Sequence, residues 1–201
     1  MRFRETPLPG AFVVEVEPHA DARGFFARTW CAREFAAHGL EANLVQASMS
    51  RNARRGTVRG MHVQLPPSQE AKLVRCTRGA IHDVIIDLRP DSPTFLSPFG
   101  IELSAASSNA LFIPPQFLHG FQTLADDSEV LYQMTDFFAP DLVFGVRWDD
   151  PAFGIHWPST EGITILPRDA EYPDFNVEAY RKAAQDALRG ARGARSAGAD
   201  L

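Results

Sequence analysis

Cysteine is scarce in this chain of 201 residues, which contains only Cys31 and Cys76. Their separation fits no metal-ligand spacing, and two cysteines are too few for the disulfide framework of a small secreted protein. Cysteine usage of this kind is typical of a reducing cytoplasm, where we expect the protein to work.

Long apolar runs and an excess of positive charge are also missing. No stretch approaches the roughly 20 apolar residues that a membrane-spanning helix needs, and the N-terminus has no apolar signal-peptide core. The formal net charge of −5 argues against general affinity for nucleic acid. A local basic pocket for one phosphorylated ligand is still compatible with that charge. We therefore predict a cytoplasmic protein without a membrane or nucleic-acid partner.

Several catalytic signatures are absent as well. The chain has neither the Gly-x-Ser-x-Gly turn of serine hydrolases nor the Gly-x-Gly-x-x-Gly loop of dinucleotide-binding domains. Metal-binding cupins usually carry two histidines separated by one residue, but Gln64 stands where the second histidine would follow His62. Four further histidines show no ligand spacing: His19, His38, His82 and His156. We expect neither a metal nor a cofactor.

Short apolar segments separated by fifteen prolines and fourteen glycines fill most of the chain. Many short strands with turn residues at intervals near ten indicate an all-β sandwich or barrel. The predicted strands are 12–16, 43–50, 57–64, 71–77, 80–88, 99–103, 110–113, 119–124, 130–138, 146–148 and 162–165. Helices are predicted at 31–38 and 177–188, with a loose tail after Leu188. We expect one β domain over residues 1–176, followed by a C-terminal helix and tail over 177–201.

The most informative cluster of polar residues lies on two neighbouring predicted strands. Arg59 and His62 stand on the first, and Lys72 and Arg75 on the second. A regular strand would point Arg59 and His62 to opposite faces, although a bulge at Gly60 could bring them together. Two cations lower the pKa of a nearby histidine, which favours the neutral form that a general base requires. Lys72 is either a solvated surface residue or a cation for a carbonyl or enolate oxygen. Strand alternation places Arg75 on the opposite face, and we predict a structural role for it.

Three further side chains are candidates for chemistry. His119 follows two prolines in an apolar turn, where it is either a polar group of a pocket or a histidine bonded to backbone. Tyr132 shares a strand face with Met134, Asp136 and Phe138, and it could donate a proton opposite a histidine base. Asp169 could orient His62 and stabilise its protonated form, but spacing alone does not prove contact.

Taken together, the ordered motifs resemble one family, the sugar-nucleotide 3,5-epimerases typified by dTDP-4-dehydrorhamnose 3,5-epimerase. The resemblance extends from about residue 5 to residue 175, and each segment is weak alone but specific in this order. The matching segments are 21–26, 59–64, 72–76, 83–89, 91–95, 113–121, 148–151 and 168–169.

The resemblance implies a jelly roll of the cupin class that needs no metal or cofactor and is usually a homodimer. The implied substrate is a nucleoside-diphosphate 4-keto-6-deoxyhexose, whose 4-keto group acidifies the protons on C3 and C5. The default reaction converts dTDP-4-dehydro-6-deoxyglucose to dTDP-4-dehydrorhamnose for deoxysugar and polysaccharide biosynthesis. Inversion beside a ketone needs a base, an acid on the other face and a cation at the enolate oxygen.

The resemblance also implies a role for each matching residue. His62 would be the base and Asp169 its partner, while Tyr132 would return the proton on the opposite face. Lys72 would stabilise the enolate with support from His119. The implied substrate-binding residues are Arg23 (often across the dimer interface), Phe26, Gln46, Ser48, Arg59, His119, Phe138 and Arg168.

Four positions depart from the family pattern. Arg28 and Val143 stand where the family has glutamate, and Ser48 stands where it often has asparagine. These positions lie near the nucleotide in the family, so they leave the nucleobase open. Phe138 replaces a tyrosine, and the lost hydroxyl bears on which carbon is epimerised. The alternatives are a C3-only epimerase or ketoisomerase of another nucleotide sugar and a non-catalytic sugar-binding cupin.

Overall fold

The computed structural model describes residues 1–197, which contain thirteen strands, three α-helices and a 3₁₀ turn at Pro140–Leu142. The strands are β1 Arg2–Glu5, β2 Phe12–Glu15, β3 His19–Asp21, β4 Gly24–Phe26, β5 Gln46–Asn52, β6 Val58–Gln64, β7 Lys72–Arg78, β8 Ala80–Asp87, β9 Pro98–Ser104, β10 Ala110–Ile113, β11 Phe117–Thr123, β12 Ser128–Met134 and β13 Val143–Gly145. The helices are α1 Ala32–Ala37, α2 Pro167–Ala170 and α3 Val177–Ala197.

Two antiparallel sheets form the domain. One has six strands in the order β1-β2-β10-β7-β12-β5, and the other has five in the order β13-β6-β11-β8-β9. Strands β3 and β4 form a separate hairpin. Neighbours within each sheet are mostly distant in sequence, as in the jelly roll, so the predicted all-β, cupin-like jelly-roll sandwich is confirmed.

Alternation along β8 shows how the sequence builds the layers. Ile81 and Ile85 lie in the apolar cluster between the sheets, whereas Val84 and Ile86 lie in the cluster on the outer face of the five-stranded sheet. Burial of each such side chain contributes about 1.5–3 kcal/mol to folding. Asp83 is fully buried in the same strand, so a carboxylate enters the interior.

Most predicted strands are confirmed, but two are wrong and one is too long. Residues 146–148 and 162–165 form no strand, although Val146 exchanges two backbone hydrogen bonds with Met61 and Thr164 forms a single bridge with Thr57. The strand predicted over 130–138 ends at Met134. The predicted faces therefore do not reach Phe138, which lies in the following loop.

Helix α3 corrects the prediction for the C-terminus. It begins at Val177 as expected but continues to Ala197 instead of ending at Leu188. Alanine and arginine are good helix formers, and together they tolerate the glycines of this segment. The helix packs on the outer face of the five-stranded sheet through Tyr180 and neighbouring alanines. Residues 198–201 of the predicted tail lie outside the described residues.

Two further findings concern the cysteines and the search for a membrane-spanning helix. Cys31 and Cys76 are both free thiols. Among residues 1–197, no helix combines the length and the apolar character that crossing a membrane requires.

Candidate active site

One cavity of about 300 Å³ collects the residues predicted to carry chemistry. Strands β6 and β11 supply its wall from the five-stranded sheet, and β7 and β12 supply the wall from the six-stranded sheet. The lining residues are Arg59, Gly60, His62, Lys72, His119, Phe121, Tyr132, Leu166, Arg168 and Asp169. The structure therefore brings all four predicted catalytic residues around one space.

An irregularity in β6 lets both Arg59 and His62 face this cavity. The pairing of β6 with β11 aligns His62 with His119 but Arg59 with Phe121, so the register shifts between them. Gly60 lies at the shift with a φ of +108°, and a Cβ there would lie 2.6 Å from the His119 carbonyl oxygen. Only glycine fits that backbone and that approach. The bulge at Gly60, which the sequence allowed but did not establish, is therefore present.

His62 and Asp169 form a hydrogen-bonded pair. The His62 Nε2 lies 2.9 Å from the Asp169 Oδ1, and since a carboxylate can only accept, Nε2 donates the proton. The lone pair of the neutral ring is then on Nδ1. Asp169 is 3% exposed and also accepts from the Gly60 amide and from Arg168 Nε, at 3.5 and 3.2 Å. The predicted contact is present, and it fixes the orientation of the imidazole.

Burial is the main cause of the lowered pKa of His62. The Asp169 carboxylate raises this pKa in opposition, while Arg168 and Lys72 lower it further. The sequence had assigned the lowering to nearby cations, which the structure shows to be smaller contributors. Because the pKa falls below its ordinary value of 6.5, the ring is neutral near pH 7.

Replacing Asp169 by asparagine should move the acid limb of the pH–rate profile to lower pH. The limb of kcat/KM reports the pKa of the free base, which must be neutral to act. Removing the carboxylate removes an influence that raises the pKa of His62. The plateau should fall roughly tenfold or more, because an amide stabilises the imidazolium poorly. Profiles of both proteins measure the shift, and a limb that moves to higher pH would contradict it.

Lys72 is not a solvated surface lysine. Its side chain is 18% exposed and forms an ion pair with Glu70, with Nζ 3.1 Å from Oε2. Glu70 is itself nearly buried, so it holds the ammonium at the cavity wall. Arg75 points elsewhere and donates to the carbonyl oxygens of Ser108 and Thr29, which agrees with its predicted structural role.

His119 lies in β11 and bonds to a carboxylate rather than to backbone. Its Nε2 donates to Asp83 Oδ1 at 2.8 Å, and both side chains are buried. The second oxygen of Asp83 is buried without a partner among the described residues. Two histidines on adjacent strands, His62 and His119, thus line the cavity, each bonded to a buried aspartate.

Tyr132 faces the cavity from the sheet opposite His62. Its hydroxyl lies 3.2 Å from Ser50 Oγ, and its ring is edge-on to His119 at 6.3 Å between centroids. Burial raises the pKa of Tyr132, and the Asp83 charge adds to this. The phenol therefore keeps its proton across the ordinary pH range, as a proton donor must.

Arg59 contributes a positioned cation. Its Nε donates to Asn52 Oδ1 at 2.7 Å, and Asn52 is buried at the end of β5. The bond fixes the plane of the guanidinium at the cavity wall. Sequence reasoning missed Asn52, as it missed Ser50, Glu70 and Asp83.

A second cavity of about 260 Å³ adjoins the first and shares His62, Lys72 and Arg168 with it. Phe138 and Val143 line it, so two of the positions that depart from the family pattern lie beside the base. The prediction that Phe138 shares a strand face with Tyr132 is wrong, because β12 ends at Met134.

The other predicted binding residues do not line either cavity within this chain. Arg23 and Phe26 lie on the exposed β3–β4 hairpin, where Arg23 bonds to Asp21 at 2.6 Å. Gln46 and Ser48 lie on β5, an edge strand. In the part of the chain that the structure describes, no group of three or more histidine, cysteine, aspartate or glutamate side chains could hold a metal ion.

Comparison with known proteins gives one consistent family. The family model described as dTDP-4-dehydrorhamnose 3,5-epimerase matches residues 5–177. A dTDP-4-dehydrorhamnose 3,5-epimerase of Methanothermobacter thermautotrophicus is 42% identical over 157 residues, which cover 78% of this chain and 84% of that protein.

Solved structures agree with this result. The Bacillus anthracis dTDP-4-dehydrorhamnose 3,5-epimerase with TDP and PPi bound superposes with a TM-score of 0.83 and 36% identity, covering 87% of this chain and 99% of the other. ChmJ, a 3'-monoepimerase from Streptomyces bikiniensis in complex with dTDP-quinovose, gives 0.80 and 28%, covering 94% and 96%. Both similarities extend over nearly the whole jelly roll.

Proposed function

Because the chain belongs to the dTDP-4-dehydrorhamnose 3,5-epimerase family, we propose that it inverts C3 and C5 of dTDP-4-dehydro-6-deoxyglucose to give dTDP-4-dehydrorhamnose. The protein is an isomerase. The observation that carries the proposal is the placement of the His62–Asp169 pair and of Tyr132 on opposite walls of one cavity. Inversion of a carbon requires proton removal on one face and return on the other.

Each inversion is a redox-neutral proton exchange. His62 Nδ1 takes the proton from the carbon beside the 4-keto group, and the electron pair of the C–H bond moves to the carbonyl oxygen as an enolate. Lys72 stabilises that oxygen, since a preorganised cation at the cavity wall acts on charge that develops there, and His119 lines the same cavity. The enolate collapses, and its carbon takes the Tyr132 proton on the other face. Solvent then restores the proton of Tyr132 and removes that of His62.

The cations at the cavity suit a diphosphate. Arg59 is fixed by Asn52, and Arg168 lies on the rim with its Nε on Asp169. Guanidinium groups present several donors in a plane that matches phosphate oxygens. We assign Arg59 to the diphosphate and Arg168 to the same anionic end.

The nucleoside end of the site requires a second protomer in this proposal. Arg23 and Phe26 lie on a hairpin outside the cavity, and Phe26 is 77% exposed. An exposed aromatic side chain is suited to an interface or to a base. We propose a homodimer in which the hairpin of one protomer completes the nucleotide site of its partner, with Gln46 and Ser48 nearby on the edge strand. Cytoplasmic location belongs to the same proposal.

A panel of nucleotide sugars in deuterated water tests the function. We expect the proton signals of C3 and C5 to disappear from the dTDP-linked 4-keto-6-deoxyglucose while dTDP-4-dehydrorhamnose forms. Matched CDP- and GDP-linked sugars measure what Arg28, Ser48 and Val143 do to base selection. Tight binding of every sugar with no exchange would replace this proposal by a non-catalytic sugar-binding protein.

A C3-only epimerase is the second candidate. It is favoured by the missing hydroxyl at Phe138, beside the base, and by the similarity to a 3'-monoepimerase. The same spectra decide between the two, because this enzyme would exchange the C3 proton and leave C5 untouched. A ketoisomerase would instead move the keto group to C3 in the product.

A further inference from the structure

We propose that Gln64 is a positioning residue that fixes residues 137–139, of which Phe138 lines the second cavity beside His62. It stands two residues after His62 on β6, so both side chains project from the same face of the strand. Metal-binding cupins use this position for a ligand, and the proposed epimerisation gives Gln64 no task. The expected changes in KM and kcat rest on the proposed function.

The amide of Gln64 is bonded at both ends to the loop after β12. Its Oε1 accepts from the Ala139 amide at 2.6 Å, and its Nε2 donates to the Phe137 carbonyl oxygen at 3.3 Å. Gln64 is 5% exposed, so the bonds are shielded from water. A buried amide with both ends satisfied holds its partners in one geometry.

A second glutamine holds the same loop from the other sheet. Gln46 on β5 accepts from the Phe138 amide at 3.0 Å. Strands β5 and β6 are in different sheets, so consecutive amides of one loop are tied to both layers of the sandwich. The loop therefore cannot move away from β6, which also carries His62.

The segment held in this way presents an aromatic ring without burying it. Phe138 is 57% exposed, yet its ring lines the second cavity with His62 and Lys72. Apolar packing does not fix a ring with that exposure, and loops with exposed backbone bonds open easily. The hydrogen bonds to Gln64 and Gln46 hold the loop instead. Because this loop is ordered before the substrate binds, less of the binding free energy is lost in ordering it.

Kinetics of three variants test the positioning role. Gln64→Met keeps the size of the side chain and removes its three hydrogen bonds, to Ala139, Phe137 and Ser68, while Gln64→Glu keeps the acceptor for Ala139 and loses the donor. We expect Gln64→Met to raise KM about tenfold with kcat within about threefold, since order lost before binding affects ground and transition states alike. Gln64→Glu should recover part of the loss.

Gln122→Met is the matched control. Gln122 is also a buried strand glutamine, and it clamps a different loop by accepting from the Ser159 amide and donating to the Ser159 carbonyl oxygen. It lines neither cavity around His62. We expect its KM to match the wild type. Equal changes in Gln64→Met and Gln122→Met, or a fall of kcat at constant KM, would overturn the proposal.

Hydrogen exchange separates this inference from the proposed function. In Gln64→Met the amide of Ala139 should exchange at least about tenfold faster, while amides of the β8 core keep their rates. This readout needs no turnover, so it decides whether Gln64 orders the loop even if no sugar is epimerised. Unchanged exchange at Ala139 would show that Gln64 does not hold the wall.

Discussion

His62→Ala should lower deuterium incorporation at C3 and C5 by roughly 10²- to 10⁴-fold, the range over which a positioned general base contributes. The imidazole Nδ1 is the proposed proton acceptor, and Asp169 bonded to Nε2 leaves that nitrogen without a proton. Among the described residues of the cavity, His119 is bonded to Asp83 through the same ring nitrogen, but its side chain is only 6% exposed against 28% for His62, so His62 is the more accessible base. Lys72 is paired with Glu70.

Binding and a second histidine provide the controls. Arg59 is held by Asn52 and not by His62, so affinity for dTDP should stay within about threefold of wild type. His82→Ala removes another partly buried strand histidine, whose pKa burial also lowers but which lines a different cavity. It should exchange at the wild-type rate. Exchange at that rate in His62→Ala would remove His62 from the mechanism.

The sequence predicted best those strands whose burial leaves a clear pattern. The apolar run 110–113 is β10 residue for residue, and 80–88 differs from β8 by one position. Strands β1, β3 and β4 were missed because they are largely exposed, so alternation between apolar and polar residues gives no signal there.

The residues of the candidate site also fall into those that the sequence predicted and those that it did not. His62, Lys72 and Tyr132 were found because their types are unusual in strands or fit known chemistry. The hydrogen-bond and ion-pair partners of Tyr132, Arg59, Lys72 and His119 are Ser50, Asn52, Glu70 and Asp83, residue types that are common on any surface. Ser50 and Asp83 reach the site only through the pairing of strands distant in sequence, and no single-sequence pattern encodes that register.

The bulge of β6 shows the same limit. Gly60 pointed to an irregularity, but its consequence depends on Gly120 of the neighbouring strand, whose backbone occupies the space of a side chain at position 60. Asp169 is a further case, since its place at 2.9 Å from His62 depends on the turn of α2 that begins with Pro167. The spacing of residues along the chain predicts neither the close approach of Gly60 to Gly120 nor the contact of Asp169 with His62.

Tyr132→Phe should separate proton removal from inversion. The variant keeps the ring and loses the hydroxyl that lies 3.2 Å from Ser50, so packing against His119 is retained. We expect formation of inverted product to fall by roughly 10²-fold or more, because the hydroxyl proposed to donate the second proton is lost. Deuterium should still enter the substrate, since His62 can remove a proton and return a deuteron on the same face.

The comparison of two rates in one sample makes this test sharp. Proton NMR in deuterated water follows loss of the C3 and C5 signals and growth of the epimerised product together. Exchange within about tenfold of wild type with almost no product assigns Tyr132 to the second proton transfer. If exchange and product formation fell by the same factor, Tyr132 would instead be needed before the enolate forms. Burial already raises the pKa of Tyr132, so it remains a phenol while His62 is neutral, and the two steps have separate donors and acceptors.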